Sequence, residues 1–371
     1  MPDNKKPADS ERVKRAVKIA TDAHKSQLRK TGEPYITHPL AVKKILEEWR
    51  MDEDTIIAGV LHDTVEDTGL TLEDIKNEFG ESVAFLVDGV TKLGKIRKNM
   101  DDLDTYLPET KDNFLRLMIA TGNDIRVLII KLADRLHNAR TLSALPPDKQ
   151  KKIALETLEI FAPLADRLNM GRLRVELADI AFSYVDPKRF EYLKNLIEEN
   201  NKQAAKALKE IEKEVADLLK KEKIDAEISG RIKSVYSLHK KLAKHNQNMG
   251  EIYDLTALRI IVPDITSCYL ALGLLHSLYT PMNERIKDYI AKPKQNGYQS
   301  LHTTVITPKK KIVEFQIRTR EMHEYAERGL AASFYYNEQK LTENYKEGKI
   351  EHLPTNLLWI TELREAAAKL K

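Results

Sequence analysis

The sequence predicts an α+β multidomain protein: an all-α first domain, a helical connector and an α/β second domain. Three observations predict it. Helical periodicity runs through the first 180 or so residues, a charge-dense stretch without glycine covers 186–223, and short β-branched runs follow. The expected divisions are 1–155, 156–223 and 224–345, with a helical tail over 346–371. At 371 residues the chain can bury more than one core. With 42% hydrophobic and 32% charged residues it reads as soluble and globular rather than disordered. A net charge of +4 gives the whole chain no nucleic-acid footprint. The single cysteine, Cys268, lies in the apolar run "SCYLALGLL"; it excludes a disulfide framework and fits a reducing cytoplasm. "MPDNKKPADSERVKR" lacks a signal-peptide core, and no window is apolar enough to span a bilayer, so a cytoplasmic protein with no membrane partner is expected.

Helices are expected over "ERVKRAVKIATDAH", "PLAVKKILEEWR", "TLEDIKNEFG", "ESVAFLVDGVTKL", "DIRVLIIKLADRLHNARTL" and "KKIALETLEIFAPLADRL". His38-Pro39 reads as a helix entry with Pro39 at the first helical position. Lys95 to Asp112 is polar and aperiodic, which predicts a loop beside a site. The 186–223 stretch is one long amphipathic helix, or a pair broken near Asn200. "AEISGRI", "LTALRIIV", "SLHTTVITP" and "KKIVEFQIRT" predict strands, with a hairpin turn in "ITPKKKIV".

One constellation sits in "LHDTVEDTG". At about 100° per residue, His62, Asp63, Glu66 and Asp67 cover one face of a helix, opposite Ile57, Val60, Leu61 and Val65. Alone, that is a wet acidic face. Two other segments argue for chemistry. Asp134, Asn138 and Thr141 follow the apolar "IRVLII" at i, i+4, i+7, and a carboxylate continuing a core helix is costly unless paired or metal-bound. His38 lies at a helix entrance beside the apolar "PLAV". His38, His62-Asp63 and Asp134 make a nitrogen/oxygen set suited to Mn²⁺, Fe²⁺ or Zn²⁺, with Glu66 and Asp67 placed to activate or orient water. The ordered set resembles the HD phosphohydrolase superfamily, which implies phosphoester hydrolysis.

A second constellation lies beyond 224. In "GRIKSVYSLHKKL", Arg231 and Lys233 share a strand side, and Ser237 and Lys241 follow on a helix, so the cations could converge on a polyphosphate; Lys240 and Lys244 read as ordinary surface lysines. Asp254 enters a strand that carries Arg259. In "VEFQIRT", Glu314, Gln316 and Arg318 share one face and Val313, Phe315 and Ile317 the other, a pattern usual for a half-exposed strand. Asp254 and Glu314 would suit Mg²⁺ if their strands pair, and Glu314 could accept a hydroxyl proton. Between them, Arg285, Lys287, Lys292, Lys294, Asn296, Tyr298 and His302 cluster around Gly297, which suits a base stacked on Tyr298 with phosphates held by lysine and histidine.

Through "GEPYITHP", "LHDTVEDT", "KLADRLHNARTL", "GRIKSVYSLHKK", "KDYIAKPKQNGYQSLHTTV" and "EFQIRTREMHEYAERGLAA", the chain resembles the catalytic half of the long Rel/SpoT alarmone synthetase-hydrolases, from about Arg15 to Arg364. The resemblance implies an HD-type (p)ppGpp hydrolase domain and a polymerase-β nucleotidyltransferase-like synthetase domain. It implies Mn²⁺ on His38, His62, Asp63 and Asp134, with water attack driven by Glu66 and Asp67. Arg29, Lys30, Asn138 and Thr141 would hold the nucleotide there. In the synthetase it implies ATP on Arg231, Lys233, Ser237, Lys241 and Arg259, and Mg²⁺ on Asp254 and Glu314. Glu314 would activate the 3′-hydroxyl of GDP or GTP, held by Lys294, Asn296, Tyr298, His302 and Gln316. The basic "RIKD" from Arg285 resembles the bifunctional members. "AASF", Ala331 to Phe334, departs from the family's usual "AAHW". Without the family's C-terminal regulatory half, no ribosome or tRNA contact is expected from these residues.

Other readings compete. One keeps an Mn²⁺-dependent hydrolase with an impaired or regulatory synthetase domain. A tRNA nucleotidyltransferase would need a Gly-Ser followed by an Asp-x-Asp pair, which is absent. A non-enzymatic guanine-nucleotide sensor would tolerate loss of Glu66, Asp67 or Glu314, and all three are present.

Overall fold

The structure is a computed structural model that describes residues 10–100, 124–230, 234–246 and 257–329. These fall into two compact units, one ending at Ala165 and the other running from Asp166 to Gly329.

The first unit is helical: α1 (Glu11–Ala23), α2 (Thr37–Glu48), α3 (Glu53–Leu61), α4 (Thr64–Asp67), α5 (Leu72–Phe79), α6 (Glu81–Met100), α7 (Ile125–Arg140) and α8 (Pro147–Glu156). Its centre is α3, whose residues from Thr55 to Leu61 are all buried. A helix apolar all round must be wrapped on every side. Helices α1, α2, α6 and α7 pack on it. Local chemistry sets the ends: Asp52 caps α3 by accepting from Thr55 N, and Thr71 with Asp74 forms a capping box on α5.

Three expectations are corrected here. Helix α2 begins at Thr37, so Pro39 is its third residue; the first four helical N–H groups lack intrahelical partners, so a proline is tolerated there too. Helix α6 continues to Met100, into the stretch read as a loop, whose remainder to Asp112 lies outside the described residues. Most important, "LHDTVEDTG" is not one helix. The buried α3 stops at Leu61 and α4 starts at Thr64, so His62 and Asp63 occupy the junction.

A π-helical turn (Thr157–Phe161) and α9 (Ala162–Arg167) lead to α10 (Gly171–Val185) and α11 (Pro187–Lys221). Helix α11 runs unbroken past Asn200, which settles the two sequence readings of that stretch. The second unit adds β1 (Glu227–Gly230), α12 (Val235–Lys244), β2 (Ala257–Val262), α13 (Ile265–Leu278), β3 (Thr280–Pro281), β4 (Lys287–Asp288), β5 (Leu301–Ile306), β6 (Ile312–Thr319) and α14 (Arg320–Arg328). The sheet order is β1-β2-β6-β5-β3, with β4 paired on β5. The β5–β6 pair is the expected antiparallel hairpin, and β2 runs parallel to β6. One sheet face, with Leu258, Ile260, Phe315 and Ile317, joins Cys268, Ala271 and Leu275 of α13 in a buried core. Alternation then sends Arg259, His302, Glu314 and Gln316 to the opposite face. Close packing joins α10 to α14: a Cβ on Gly171 would lie 2.5 Å from the Ala326 carbonyl oxygen. Among the described residues no helix is long and apolar enough to cross a membrane.

Candidate active sites

In the first unit, the α3–α4 junction meets the start of α2 and the middle of α7. His38 Nε2 lies 3.2 Å from His62 Nε2 and 3.3 Å from Asp134 Oδ1. Asp63 Oδ2 lies 3.1 Å from His62 Nε2 and 3.6 Å from His38 Nε2. His38, His62 and Asp134 are all buried. They are grouped closely enough to offer one ligand atom each to a single ion.

The donor set fits a divalent cation. His62 Nδ1 sits 2.8 Å from the Gly59 carbonyl oxygen, which only accepts, so that nitrogen carries a proton and Nε2 is left to ligate. Two ring nitrogens facing each other at 3.2 Å need a proton or a cation between them. The local field asks for positive charge: burial opposes a charged His62, but Asp63 and then Asp134 outweigh it and lift the imidazole to about 9. Burial alone would raise both carboxyls. His62 nevertheless holds Asp63 well below the usual carboxylate range, and Lys131, His38 and His62 do the same for Asp134. A divalent cation meets the same demand and releases the proton.

Residues that sequence reasoning missed, together with the expected Arg29, Asn138 and Thr141, complete the site. Lys131 Nζ donates to Asp134 Oδ2 at 2.6 Å, and the Asn138 amide donates to Oδ1. The Tyr35 hydroxyl donates to Asp63 Oδ2 at 2.6 Å and lies 3.3 Å from Asp67 Oδ2. Burial and then Asp63 push its pKa up, so it stays a donor. Its ring stacks on buried His24, with centroids 4.6 Å apart. His137 Nδ1 lies 2.8 Å from His38 Nδ1, and Arg29 spans from His137 to Thr141 Oγ1. The available signals were proximity in sequence: Tyr35 precedes His38 by three residues, and Lys131 and His137 flank Asp134 by three. Of the remaining expected residues, Glu66 is half-buried on α4, Asp67 is exposed beside Tyr35, and Lys30 is exposed next to Arg29.

In the second unit, β2 pairs with β6, the condition on which the Mg²⁺ reading of the sequence depended. Ala257 sits opposite Glu314 and Arg259 opposite Gln316, so β2 runs alongside β6. Arg231, Lys233, Asp254 and the "AASF" residues lie outside the described residues. Glu314 Oε1 accepts from Gln316 Nε2 at 2.8 Å and lies 3.6 Å from His302 Nδ1. His302 Nε2 is 2.9 Å from the Tyr298 hydroxyl. Lys294 Nζ lies 4.7 Å from the Tyr289 ring and 4.9 Å from the Tyr298 ring, so Tyr289, which sequence reasoning passed over, shares the aromatic wall. The Asn296 amide donates to the Asp166 carbonyl oxygen at 2.8 Å, and its Oδ1 accepts from the Tyr298 N–H at 3.2 Å. Ser237 and Lys241 lie on α12, whose start is capped by Asp179: its carboxylate accepts from Ser234 Oγ and from the Val235 and Tyr236 amides.

The polar face of β6 is not half-exposed, as its pattern suggested. Gln316 and Arg318 are buried. Arg318 is covered by α14, where its Nη2 reaches His323 Nδ1 at 2.8 Å and Glu327 Oε1 at 3.3 Å, and Arg259 meets the same Glu327 oxygen at 3.2 Å. Burial, then Arg318 and Arg259, push His323 down to about 4. Above about pH 6.5 the ring is neutral folded or unfolded; below it the unfolded chain takes a proton that the folded chain refuses until about pH 4. Stability should therefore fall with pH through that window. In chemical denaturation the wild type is expected to lose more stability across it than His323→Gln does; parallel curves would contradict the assignment.

Comparison with known proteins follows this division. Residues 16–171 match the family described as HD domain, and residues 230–341 match the region found in RelA / SpoT proteins. The chain is 47% identical over 335 residues to an Aquifex aeolicus guanosine-3′,5′-bis(diphosphate) 3′-pyrophosphohydrolase, covering 90% of this chain and 47% of that protein. It is 43% identical over 359 residues to a Myxococcus xanthus GTP pyrophosphokinase, covering 96% and 47%. It is also 43% identical over 356 residues to the Escherichia coli bifunctional (p)ppGpp synthase/hydrolase SpoT, covering 96% and 50%. The chain thus spans about half the length of the curated relatives it matches. A solved structure of a metazoan SpoT ortholog that hydrolyses ppGpp is 27% identical, covering 46% of this chain and 94% of that one with a TM-score of 0.36. Carrying both regions, and sharing more than two-fifths of its aligned residues with the Aquifex, Myxococcus and Escherichia proteins along nearly its whole length, the chain belongs to the RelA/SpoT family.

Proposed function

We propose that this chain is a two-way alarmone enzyme. At the His38 cluster it hydrolyses (p)ppGpp to GDP or GTP and pyrophosphate. On the polar face of β2, β6 and β5 it makes (p)ppGpp and AMP from ATP and GDP or GTP. The observation that carries the reading is the convergence of His38, His62, Asp63 and Asp134 at one buried helix junction. The cytoplasm, where these nucleotides and a reduced Cys268 coexist, is the expected setting.

In the hydrolase, His38, His62, Asp63 and Asp134 would hold Mn²⁺, which when bound polarises phosphate and lowers the pKa of water. Arg29, Lys30, Asn138 and Thr141 hold the guanine nucleotide. Glu66 and Asp67 orient the attacking water and accept its proton. As the water oxygen bonds to the phosphorus carried on the ribose 3′-oxygen, the bond between that phosphorus and the 3′-oxygen breaks, and the proton taken from water passes to the leaving oxygen, giving a 3′-hydroxyl and free pyrophosphate. Tyr35, donating toward Asp63 and Asp67, keeps both carboxylates aimed. Tyr35→Phe preserves the ring packed on His24 and removes only that donor. It is expected to slow hydrolysis by about 10-fold or more without changing synthesis; an unchanged steady-state hydrolysis rate would remove Tyr35 from the mechanism.

In the synthetase, Arg231, Lys233, Ser237, Lys241 and Arg259 hold ATP, while Asp254 and Glu314 would hold Mg²⁺, which supplies charge neutralisation at the phosphates. Tyr298 stacks the acceptor base, and Lys294, Asn296, His302 and Gln316 hold its polar groups. Glu314 accepts the proton of the acceptor 3′-hydroxyl as that oxygen bonds to the β-phosphorus of ATP. The α–β bridging bond breaks and AMP leaves. The pairing of β6 with β2, and the polar partners around Glu314, support this assignment. The hydrolase half is tested by incubating the protein with ppGpp, with Mn²⁺ or with a chelator. Equimolar GDP and pyrophosphate, formed only with Mn²⁺, are expected; a folded protein inert under both conditions would contradict it.

A further inference from the structure

We infer that His137 is a positioning residue for the cation cluster: an acceptor that holds His38 in the tautomer with Nε2 free to ligate, and that links this ligand to Arg29. The inference rests on reading the His38 cluster as a metal site.

Donor and acceptor chemistry forces the assignment. Arg29 Nη1 lies 3.3 Å from His137 Nδ1, and a guanidinium N–H can only donate, so His137 Nδ1 is an acceptor. The same nitrogen lies 2.8 Å from His38 Nδ1. An acceptor needs a donor opposite it, so His38 carries its proton on Nδ1. Its Nε2 is the nitrogen that faces His62 Nε2, Asp134 Oδ1 and Asp63 Oδ2. His137 keeps its own proton on Nε2.

Metal-bound imidazoles generally donate their second ring N–H to a carboxylate, a carbonyl or water. His62 follows that habit with the Gly59 carbonyl. His38 instead uses a neutral imidazole, and that imidazole is shared with an arginine reaching Thr141. The lock on one metal ligand is therefore built from the residues that the proposed function assigns to the nucleotide. On α7, His137 stands one turn beyond Asp134, so a single helix supplies a carboxylate ligand and the tautomer lock of another ligand.

The test is Mn²⁺ uptake by the whole chain without nucleotide, measured by isothermal titration, with His38→Ala as the cluster-deficient control. His137→Asn keeps an oxygen acceptor near the Nδ1 position, whereas His137→Leu keeps bulk and removes the acceptor. The leucine variant is expected to bind Mn²⁺ about 10- to 100-fold more weakly, with the asparagine variant recovering most of the loss. A residue needed only for packing would not distinguish them in this way. Leucine binding at wild-type strength, or asparagine as weak as leucine, overturns the inference. If the leucine variant does not fold, isotope-labelled histidine nitrogen spectra of the cation-free wild type decide. A bare Nδ1 on His137 is expected there, and a proton on it is the contrary result. A wild type that takes up no Mn²⁺ defeats the metal reading and this inference together; a wild type that binds, with leucine unchanged, defeats the inference alone.

Discussion

His38→Ala is expected to abolish Mn²⁺-dependent release of pyrophosphate from ppGpp while leaving ATP-dependent synthesis intact. The His38 ring reaches every member of the cluster: Nε2 faces His62, Asp63 and Asp134, and Nδ1 faces His137. Removing it deletes one ligand and leaves His62 and Asp134 without a common partner. Phosphate polarisation by a bound cation is worth several kcal/mol, and about 1.4 kcal/mol is one decade in rate, so a loss of about three orders of magnitude is expected. His38 is 3% exposed, so the substitution also opens a small cavity; circular dichroism and thermal melting check that the unit still folds. Time courses resolved by anion exchange report both directions. Hydrolysis that survives in the folded variant would move the metal elsewhere.

Glu314→Gln should give the mirror image, with synthesis down by about 10²- to 10⁴-fold and hydrolysis unchanged. The substitution is close to isosteric. Gln316 Nε2 can still donate to the remaining side-chain oxygen, and the β6 register against β2 and β5 depends on backbone bonds, so the sheet is preserved. What disappears is the charge facing His302 and the capacity to take a proton. The loss should fall on kcat more than on KM for ATP, because the arginine and lysine side chains assigned to the phosphates are untouched. AMP formation measured in the His38→Ala background avoids consumption of the product. Wild-type AMP formation by that double variant would exclude Glu314 as the base.

The fold was legible where local chemistry decides structure. The β5–β6 hairpin follows from two β-branched runs flanking a polar turn, and alternation along β6 put Glu314 and Gln316 on one face before any strand partner was known. Its parallel partner β2 was not legible, because that pairing depends on a crossover through α13 and has no local signal. The break at His62 and Asp63 was hidden for a related reason: both residues stay in the right-handed helical region, with φ,ψ of −59°, −31° and −98°, −9°. The amino-acid pattern therefore continues as if the helix did. The ligands themselves stood out by residue type and order. Tyr35, Lys131 and His137 did not, because their roles lie in distances to residues remote in sequence, such as the 2.6 Å from Tyr35 to Asp63. The burial of Arg318 likewise needs α14 folded over it.

The central claim, two opposed chemistries on one chain, is tested most directly by incubating His38→Ala protein with ATP, GDP and Mg²⁺ and resolving the nucleotides by anion exchange. AMP and ppGpp accumulating in equal amounts is the predicted result, since the synthetase then runs without its reverse partner. A folded, ATP-binding protein that makes no ppGpp would contradict the claim and leave a one-way hydrolase whose second domain only binds.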